Sequence, residues 1–513
     1  MRLSELLAGV DFIATEGDMN SDVTSVTADS RLARKGSLFV AIPGLKKDGT
    51  EFVAQAIEKG AVAVVTGVAP REIEDRGSKI ADGTRPAGTS FVQVTDPRAS
   101  LSTLAANFYG RPAEKLTLIG VTGTSGKTTT TKMIEAMLDA SGEPAGLIGT
   151  IEYRAGDERL SADRTTPDAV VLQEWFAKMV AAGVKRAVME VSSHALVLKR
   201  THGVHFAAAV FTNLSREHFD FHKDFEDYFN AKRILFTQID RSRQTAVVNI
   251  DDDHGRRLNL ELGKAAISFG LSKNANIRPA EGFEISVRGL SGVVHTPNGD
   301  VRVDSRLLGQ PNLYNLMGAI GAAQIAGLSN ETIMQGIRDL TSVRGRFERV
   351  GGESGPTVIV DYAHKPDALD ILQRAVRDIA DGKRVVVLFG CGGDRDRGKR
   401  PQMGQIATRM ADFTILTSDN PRSEDPEAIL DEIEEGLGAT NKARYTRIAD
   451  RREAISKAIR EAAADDVIVI AGKGHEAYQV IGDQVIHFDD REEAELALQK
   501  KADDKNSSKI ASN

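Results

Sequence analysis

An α/β fold in three domains is what this sequence predicts, and three observations predict it. The chain has 513 residues, too many for one core and about the length of three ordinary domains. Short apolar runs rich in valine and isoleucine alternate with segments of helical spacing, the pattern of mostly parallel sheets with helices on both faces. One of those runs passes through a glycine-rich turn straight into a helix. With 41% hydrophobic and 27% charged residues the composition is that of a globular protein, and no apolar run is long enough to span a bilayer. A net charge of −7 argues against reliance on a broad cationic surface for nucleic acid. The lone Cys391 excludes an internal disulfide and a cysteine-based zinc cluster. MRLSELLAGV lacks the features of a signal peptide, so the chain reads as cytoplasmic.

Taken in order, residues 1–97 form a small α/β domain with a strand over Gly36–Ile42, a helix in FVAQAIEKG and a second strand in AVAVVTG. The charged, glycine-rich stretch Pro70–Thr89 has no periodicity and reads as a loop. Residues 98–344 form a central domain, entered by a helix over Arg98–Phe108. Its strands are AGLIGT, VKRAVMEV, FAAAVFTNL and TAVVNIDDD, and Asn276–Leu308 adds a β-rich side sheet. Residues 345–500 carry TVIVDYA, RVVVLFG, DFTILTSDN and DVIVIAGKG between helical segments, a doubly wound, Rossmann-like domain. Its ligand residues belong just past the strand ends. The polar tail 501–513 reads as disordered.

The central domain starts with LTLIGVTGTSGKTTTT. Leu116–Val121 is a buried strand, and the helix resumes after Lys127 with Met133, Ile134 and Leu138 at helical spacing. Between them, Gly123 and Gly126 let backbone N–H groups converge on phosphate oxygens, with Thr124, Ser125 and Thr129 completing the loop. Lys127 reaches the terminal phosphates and the Thr128 hydroxyl can bind magnesium. This is a P-loop-type turn in a shortened GTSGKT form, because the glycine of the common pattern falls on Val121. A nucleoside triphosphate with Mg²⁺ is the implied ligand.

Other polar groups cluster at strand ends. Glu190 closes an apolar strand, where a carboxylate can hold magnesium beside Thr128, although a solvated strand-end glutamate is equally compatible. Ser192, Ser193 and His194 lack the G-x-S-x-G context of a hydrolase. His218, Asp220 and His222 allow zinc, but a second magnesium with His218 as a ligand fits the neighbouring phosphates better. Periodicity alone puts Lys232 on a helix surface near Tyr228. Asn312 and Asn315 at a helix start can cap it or bond a nucleobase edge. Arg346 in GRFE and Asp361 in VDYAHKPDAL lie at the start of the last domain.

GTSGKTT, EVSSHAL, TNLSREHFDFH, YFNAK, NLYN, GRFE, DYAHKPDAL, GCGGDRDRGKRP, DNPR and AGKGHE occur in this order over nearly the whole chain. In them the sequence resembles the Mur ligases of peptidoglycan synthesis. The resemblance implies an ATP-dependent ligase in which a substrate carboxylate takes the γ-phosphoryl group and the acyl phosphate is attacked by an amine. It implies that Thr128 and Glu190 serve one magnesium, and that His218 and an N-carbamylated Lys232 serve another. Lys127, His218, Lys232 and Arg346 are its catalytic set. Asn312, Asn315, Arg346 and Asp361 contact ATP beside the loop. Ser30, Asp48, Gly49, Thr165, Thr166, Ser192 and Arg200 bind a UDP-N-acetylmuramoyl dipeptide.

Within the family the resemblance is to the branch that adds meso-diaminopimelate, through Arg395, Asp419, Asn420, Pro421, Arg422, Gly472 and Glu476. Chemistry agrees. Diaminopimelate carries a carboxylate and an ammonium at its far end whereas lysine carries only the ammonium, so its site needs an additional cation, which Arg422 supplies. The rival readings are a sister ligase adding lysine or another amino acid, glutamate onto folate being more remote, and a P-loop NTPase switch.

Overall fold

Thr117–Thr122, one residue further along than the sequence places it, is the strand around which the first half of the chain is organised. The computed structural model describes residues 1–44, 47–69, 72–73, 88–352, 355–437 and 444–511, with side chains to residue 504. Most of the stretch expected as a loop at Pro70–Thr89 lies outside them. The chain divides into two units, Met1–Asn276 with Gly318–Ser329, and Ile277–Met317 with Asn330–Asn513.

The first unit holds two sheets. Five strands stand in the order Phe12–Glu16, Ser90–Val94, Ala61–Thr66, Ser37–Ala41 and Ser25–Thr27, parallel except for the first. All five side chains of Ser37–Ala41 are buried, as an apolar run without alternation requires. The second sheet has eight strands: Ala266–Phe269, Ala246–Asn249, Ala208–Phe211, Thr117–Thr122, Arg186–Glu190, Ala145–Ile148, Glu152–Ala155 and Glu158–Ser161. The first six run parallel and the last two form an antiparallel extension. After Thr117–Thr122 the chain builds one flank, then crosses to Ala208–Phe211 and builds the other. The glycine turn therefore sits at the topological switch point, where open α/β sheets bind ligands.

In the second unit, Arg278–Pro279, Glu284–Ser286, Gly289–His295 and Val301–Ser305 form the antiparallel side sheet that the sequence predicts. A six-stranded sheet follows in the order Glu348–Val350, Thr357–Asp361, Val467–Ala471, Val385–Phe389, Phe413–Leu416 and Tyr445–Arg447, the last five parallel. The strands Val467–Ala471, Val385–Phe389 and Phe413–Leu416 are neighbours. Their carboxyl ends bring GKGHE, GCGGDRDRG and SDNPR to one edge of the sheet.

The final helix, Asp490–Ala511, extends into the segment expected to be disordered. Ala494 is buried, and the Lys501 ammonium donates to the carbonyls of Ile459, Arg460 and Ala462 at the end of the helix Arg451–Glu461. A cation satisfying the last carbonyls of another helix offsets its polar composition.

Candidate active site

The glycine turn is built by its neighbours as much as by its own sequence. Gly123 has φ +149°, and a Cβ there would lie 1.9 Å from Thr212 Oγ1. Thr212 and Asn213 follow the adjacent strand and brace the loop. Thr212 Oγ1 donates to the Ser125 carbonyl at 2.6 Å, Thr124 N donates to the Asn213 carbonyl, and Ser125 N donates to Asn213 Oδ1. Gly126, at φ +85°, opens the helix Lys127–Asp139, whose N-terminal dipole favours an anion. The Lys127 ammonium bonds the Gly123 and Thr124 carbonyls at 2.9 and 2.7 Å.

Glu190 ends its strand fully buried. Its Oε2 accepts from Thr128 Oγ1 and Thr150 Oγ1, both at 3.0 Å, and its Oε1 accepts from Thr150 N at 2.7 Å. The strand order brings Thr128 and Glu190 together as the sequence anticipates, in the hard-oxygen setting that magnesium prefers. Thr150, which the sequence reading passed over, bridges the cluster to Thr165 at 3.0 Å. Thr166 Oγ1 donates to the Glu190 carbonyl and accepts from Ser192 N, while Ser192 Oγ caps the helix Ser193–Val197. Arg200 donates to the Thr166 carbonyl at 2.8 Å. Burial and the neighbouring charge of Arg164 lower its pKa. Arg200, Arg164, Arg98 and Arg34 line a cavity of about 630 Å³ together with Thr27 and Asp29. Ser30 lies next in sequence and bonds Gln55, whereas Asp48 caps the short helix that Gly49 opens.

Lys232 is not a surface residue. It is 1% exposed, its Nζ donates to the Gly123 carbonyl at 2.7 Å, and it lies 4.3 Å from the centre of the Tyr228 ring. Burial, with Lys127 adding to it, pushes its pKa well below that of a free lysine. His218 takes a left-handed backbone at φ +60° and packs on the same Tyr228 ring at 6.2 Å, with His194 at 4.8 Å. His222 bonds Ser193 Oγ at 2.9 Å. Among the described residues no group of three or more His, Cys, Asp and Glu side chains could hold a metal ion. A magnesium ion beside Thr128 and Glu190 would find one carboxylate and the Thr128 and Thr150 hydroxyls as its protein oxygens.

In the second unit Asn312 donates to the Leu308 carbonyl and Asn315 to Asn312 Oδ1, both residues being buried. Asp361 accepts from Phe347 N and Ala363 N at 2.7 and 2.8 Å, and burial raises its pKa while Arg346 opposes the rise. The Arg346 guanidinium lies 4.7 Å over the Tyr362 ring, which also meets His364 and His475. Burial lowers both histidines to about 4, with Arg346 contributing at His475.

The three strand ends form a second polar crevice. Asn420 is its hub: its Nδ2 donates to Glu476 at 3.0 Å, and its Oδ1 accepts from Lys473 Nζ and Val480 N. Lys473, missed in the sequence though it lies within AGKGHE, is fully buried 3.6 Å from Glu476 and 3.9 Å from Asp419. Burial raises the Glu476 pKa and Lys473 opposes it. Arg422 has φ +54°, follows Pro421, and donates to the Gly393 carbonyl at 2.7 Å. Its backbone pairs with the hairpin Tyr478–Ile481/Gln484–His487. A Cβ on Gly392 would lie 2.8 Å from Arg422 Nη1 and 3.7 Å from Arg395 Cγ, so both side chains pass this glycine. At Gly472, φ +120°, a Cβ would meet Asp419 Oδ2 at 2.9 Å.

Three stretches match family descriptions: residues 22–109 the Mur ligase family catalytic domain, 121–323 the Mur ligase middle domain, and 345–474 the Mur ligase glutamate ligase domain. A Geobacter sulfurreducens protein named UDP-N-acetylmuramoyl-L-alanyl-D-glutamate--2,6-diaminopimelate ligase is 44% identical over 97% of this chain and 99% of its own. A Bacillus cereus protein of the same name is 44% identical over 97% and 98%. A solved structure under that name is 30% identical, covers 98% of this chain and 99% of its own, and superposes with a TM-score of 0.71.

Two measurements probe this geometry. Gly123→Ala, whose methyl would overlap Thr212, should weaken ATP binding by at least about tenfold in calorimetry while circular dichroism stays unchanged. His364 and His475 stay neutral in the fold down to about pH 4, whereas the unfolded chain protonates them near 6.5. The unfolded state thus binds more protons in that window, and stability should fall as pH drops from 6.5 to 4, by up to about 3 kcal/mol per histidine. Denaturant titrations across that range should show the slope, and His364→Asn should reduce it by about half.

Proposed function

The chain belongs to the Mur ligase family, and on that premise we propose that it joins meso-diaminopimelate to UDP-N-acetylmuramoyl-L-alanyl-D-glutamate with cleavage of ATP. A carboxylate is a poor acyl donor because oxide would have to leave. Transfer of the γ-phosphoryl group from ATP to the glutamate carboxylate releases ADP and makes an acyl phosphate. The diaminopimelate amine then attacks the acyl carbon, phosphate leaves, and the amine loses a proton as the amide forms.

Residues 1–97 and 98–344 are read as the UDP-substrate and ATP domains, and 345–500 as the amino-acid domain. The loop Gly123–Thr129 takes the triphosphate, with Lys127 on its terminal oxygens. Asn312, Asn315, Arg346 and Asp361 are assigned to the same nucleotide. Thr128 and Glu190 would hold Mg²⁺, and His218 with Lys232 a second ion. When bound, magnesium offsets the charge crowding the phosphoryl group. Only a neutral amine reacts with carbon dioxide, so the buried, pKa-lowered Lys232 suits N-carbamylation, which turns a cation into a carboxylate-like ligand. Thr165, Thr166, Ser192 and Arg200, with Ser30, Asp48 and Gly49, are assigned to the UDP-linked substrate. The arginine-lined cavity beside them supports an anionic ligand. Among the described residues no helix is long and apolar enough to cross a membrane, and we assign the enzyme to the cytoplasm.

The observation that carries the amino-acid assignment is the charge layout of the second crevice. Arg395 and Arg422 both pass Gly392 and suit a carboxylate, while Glu476, Asp419 and the Gly472 carbonyl suit an ammonium. Lysine would give these arginines no carboxylate.

Mass spectrometry of the product made from ATP, the UDP-dipeptide and each amino acid should show diaminopimelate incorporated in preference to lysine, and the opposite preference refutes the assignment. Arg422→Ala should raise the KM for diaminopimelate by about tenfold or more and leave those for ATP and the UDP-dipeptide nearly unchanged. Lys232→Ala should abolish most turnover, with partial recovery in small carboxylates. Full activity without them removes the carbamate from the mechanism.

A further inference from the structure

Arg451 occupies the first position of the helix Arg451–Glu461, where the helix dipole disfavours a cation, and it is fully buried. A buried arginine in an unfavourable local setting points to a task outside its own helix. Its guanidinium forms a bidentate pair with Asp490, also fully buried, through Nε to Oδ1 and Nη2 to Oδ2, both at 2.7 Å. Asp490 opens the last helix, where a carboxylate is favoured. Two of the three remaining N–H donors go to two carbonyls just past or at strand ends: Nη2 to Ala471 O at 3.0 Å and Nη1 to Ser418 O at 3.3 Å. The residues that follow those carbonyls are Gly472 and Asp419.

We propose that Arg451, held by Asp490, is a positioning residue for the amino-acid pocket, tying together the strand ends that present Asp419–Arg422 and Gly472–Glu476. The inference rests on the reading of that crevice as the diaminopimelate site. The two turns come from strands that are not hydrogen-bonded neighbours, because Val385–Phe389 lies between them. Sheet pairing fixes each turn only through that middle strand, and the guanidinium spans the gap directly. The spacing is tight: at Gly472 even a methyl would collide with Asp419 Oδ2. Burial opposes the charge on Arg451, but Asp490, Asp419 and Glu476 together hold its pKa above the ordinary arginine value, so its field reaches the pocket's own acids. Asp490 in turn makes the final helix part of the pocket's support.

The test is steady-state kinetics of the full-length enzyme against all three substrates, with thermal melting in parallel. Arg451→Lys keeps the charge beside Asp490, but one ammonium cannot serve the carboxylate and both carbonyls. It should raise the KM for diaminopimelate by about tenfold and leave those for ATP and the UDP-dipeptide within about twofold. Arg451→Met/Asp490→Leu removes both charges together, so no buried charge is stranded, and should give the same selective defect even if its melting temperature is unchanged. An unchanged diaminopimelate KM in Arg451→Lys, or an equal rise for all three substrates, overturns the proposal. Wild-type protein that makes no diaminopimelate product overturns instead the reading of the crevice, and the inference with it.

Discussion

The buried carboxylate of Glu190 is the constraint on which the first unit's chemistry depends. An acidic group fully removed from water survives only with every oxygen served, and here two threonine hydroxyls and one backbone N–H serve it. Those donors come from the start of the loop helix and from the turn after Ala145–Ile148, and the same strand end holds Thr166. The carboxylate thus ties the phosphate-loop helix to Thr150, while Thr150 and the Glu190 backbone carbonyl in turn hold Thr165 and Thr166.

The same logic recurs with a different centre in the second unit. Asn420 contacts Glu476, Lys473 and the backbone of Val480, so a neutral amide coordinates a crevice whose other members are charged. Its acids and cations are close enough to shift one another, as the opposed effects on Glu476 and Lys473 show. A crevice with both signs of charge suits a zwitterionic end group better than a simple cation. The left-handed Arg422 and its pairing with the Tyr478–Ile481 hairpin add a backbone constraint to that electrostatic one.

Much of this was legible in the chain. Strands such as Val385–Phe389 are short apolar runs, the loop is a contiguous motif, and the meeting of Thr128 with Glu190 follows from strand-end placement. Where the reading failed, the reason is that the signal was local and the cause was not. Periodicity alone makes Lys232 look exposed because its own helix is polar, although the family resemblance makes it a metal ligand, and Tyr228 and the Gly123 carbonyl close over it. The end of the chain looks disordered because its composition is polar, but Lys501 is anchored to another helix's carbonyls. Thr150 carries no motif and Asn213 is passed over inside one, because nothing in sequence marks a residue whose role is to accept or give one hydrogen bond across a sheet.

The sequence by itself determined the element order, the phosphate loop and the family. Each is written in neighbouring residues, where backbone geometry and side-chain spacing act over a few ångströms of chain. Tertiary structure alone decided that Lys232 is buried, that Glu190 joins two turns, and that Arg451 bridges Ser418 and Ala471 across an intervening strand. Those outcomes depend on strand order, which brings together residues dozens of positions apart and removes water from between them. Only then do a carboxylate, an ammonium or a guanidinium acquire the partners that their chemistry requires.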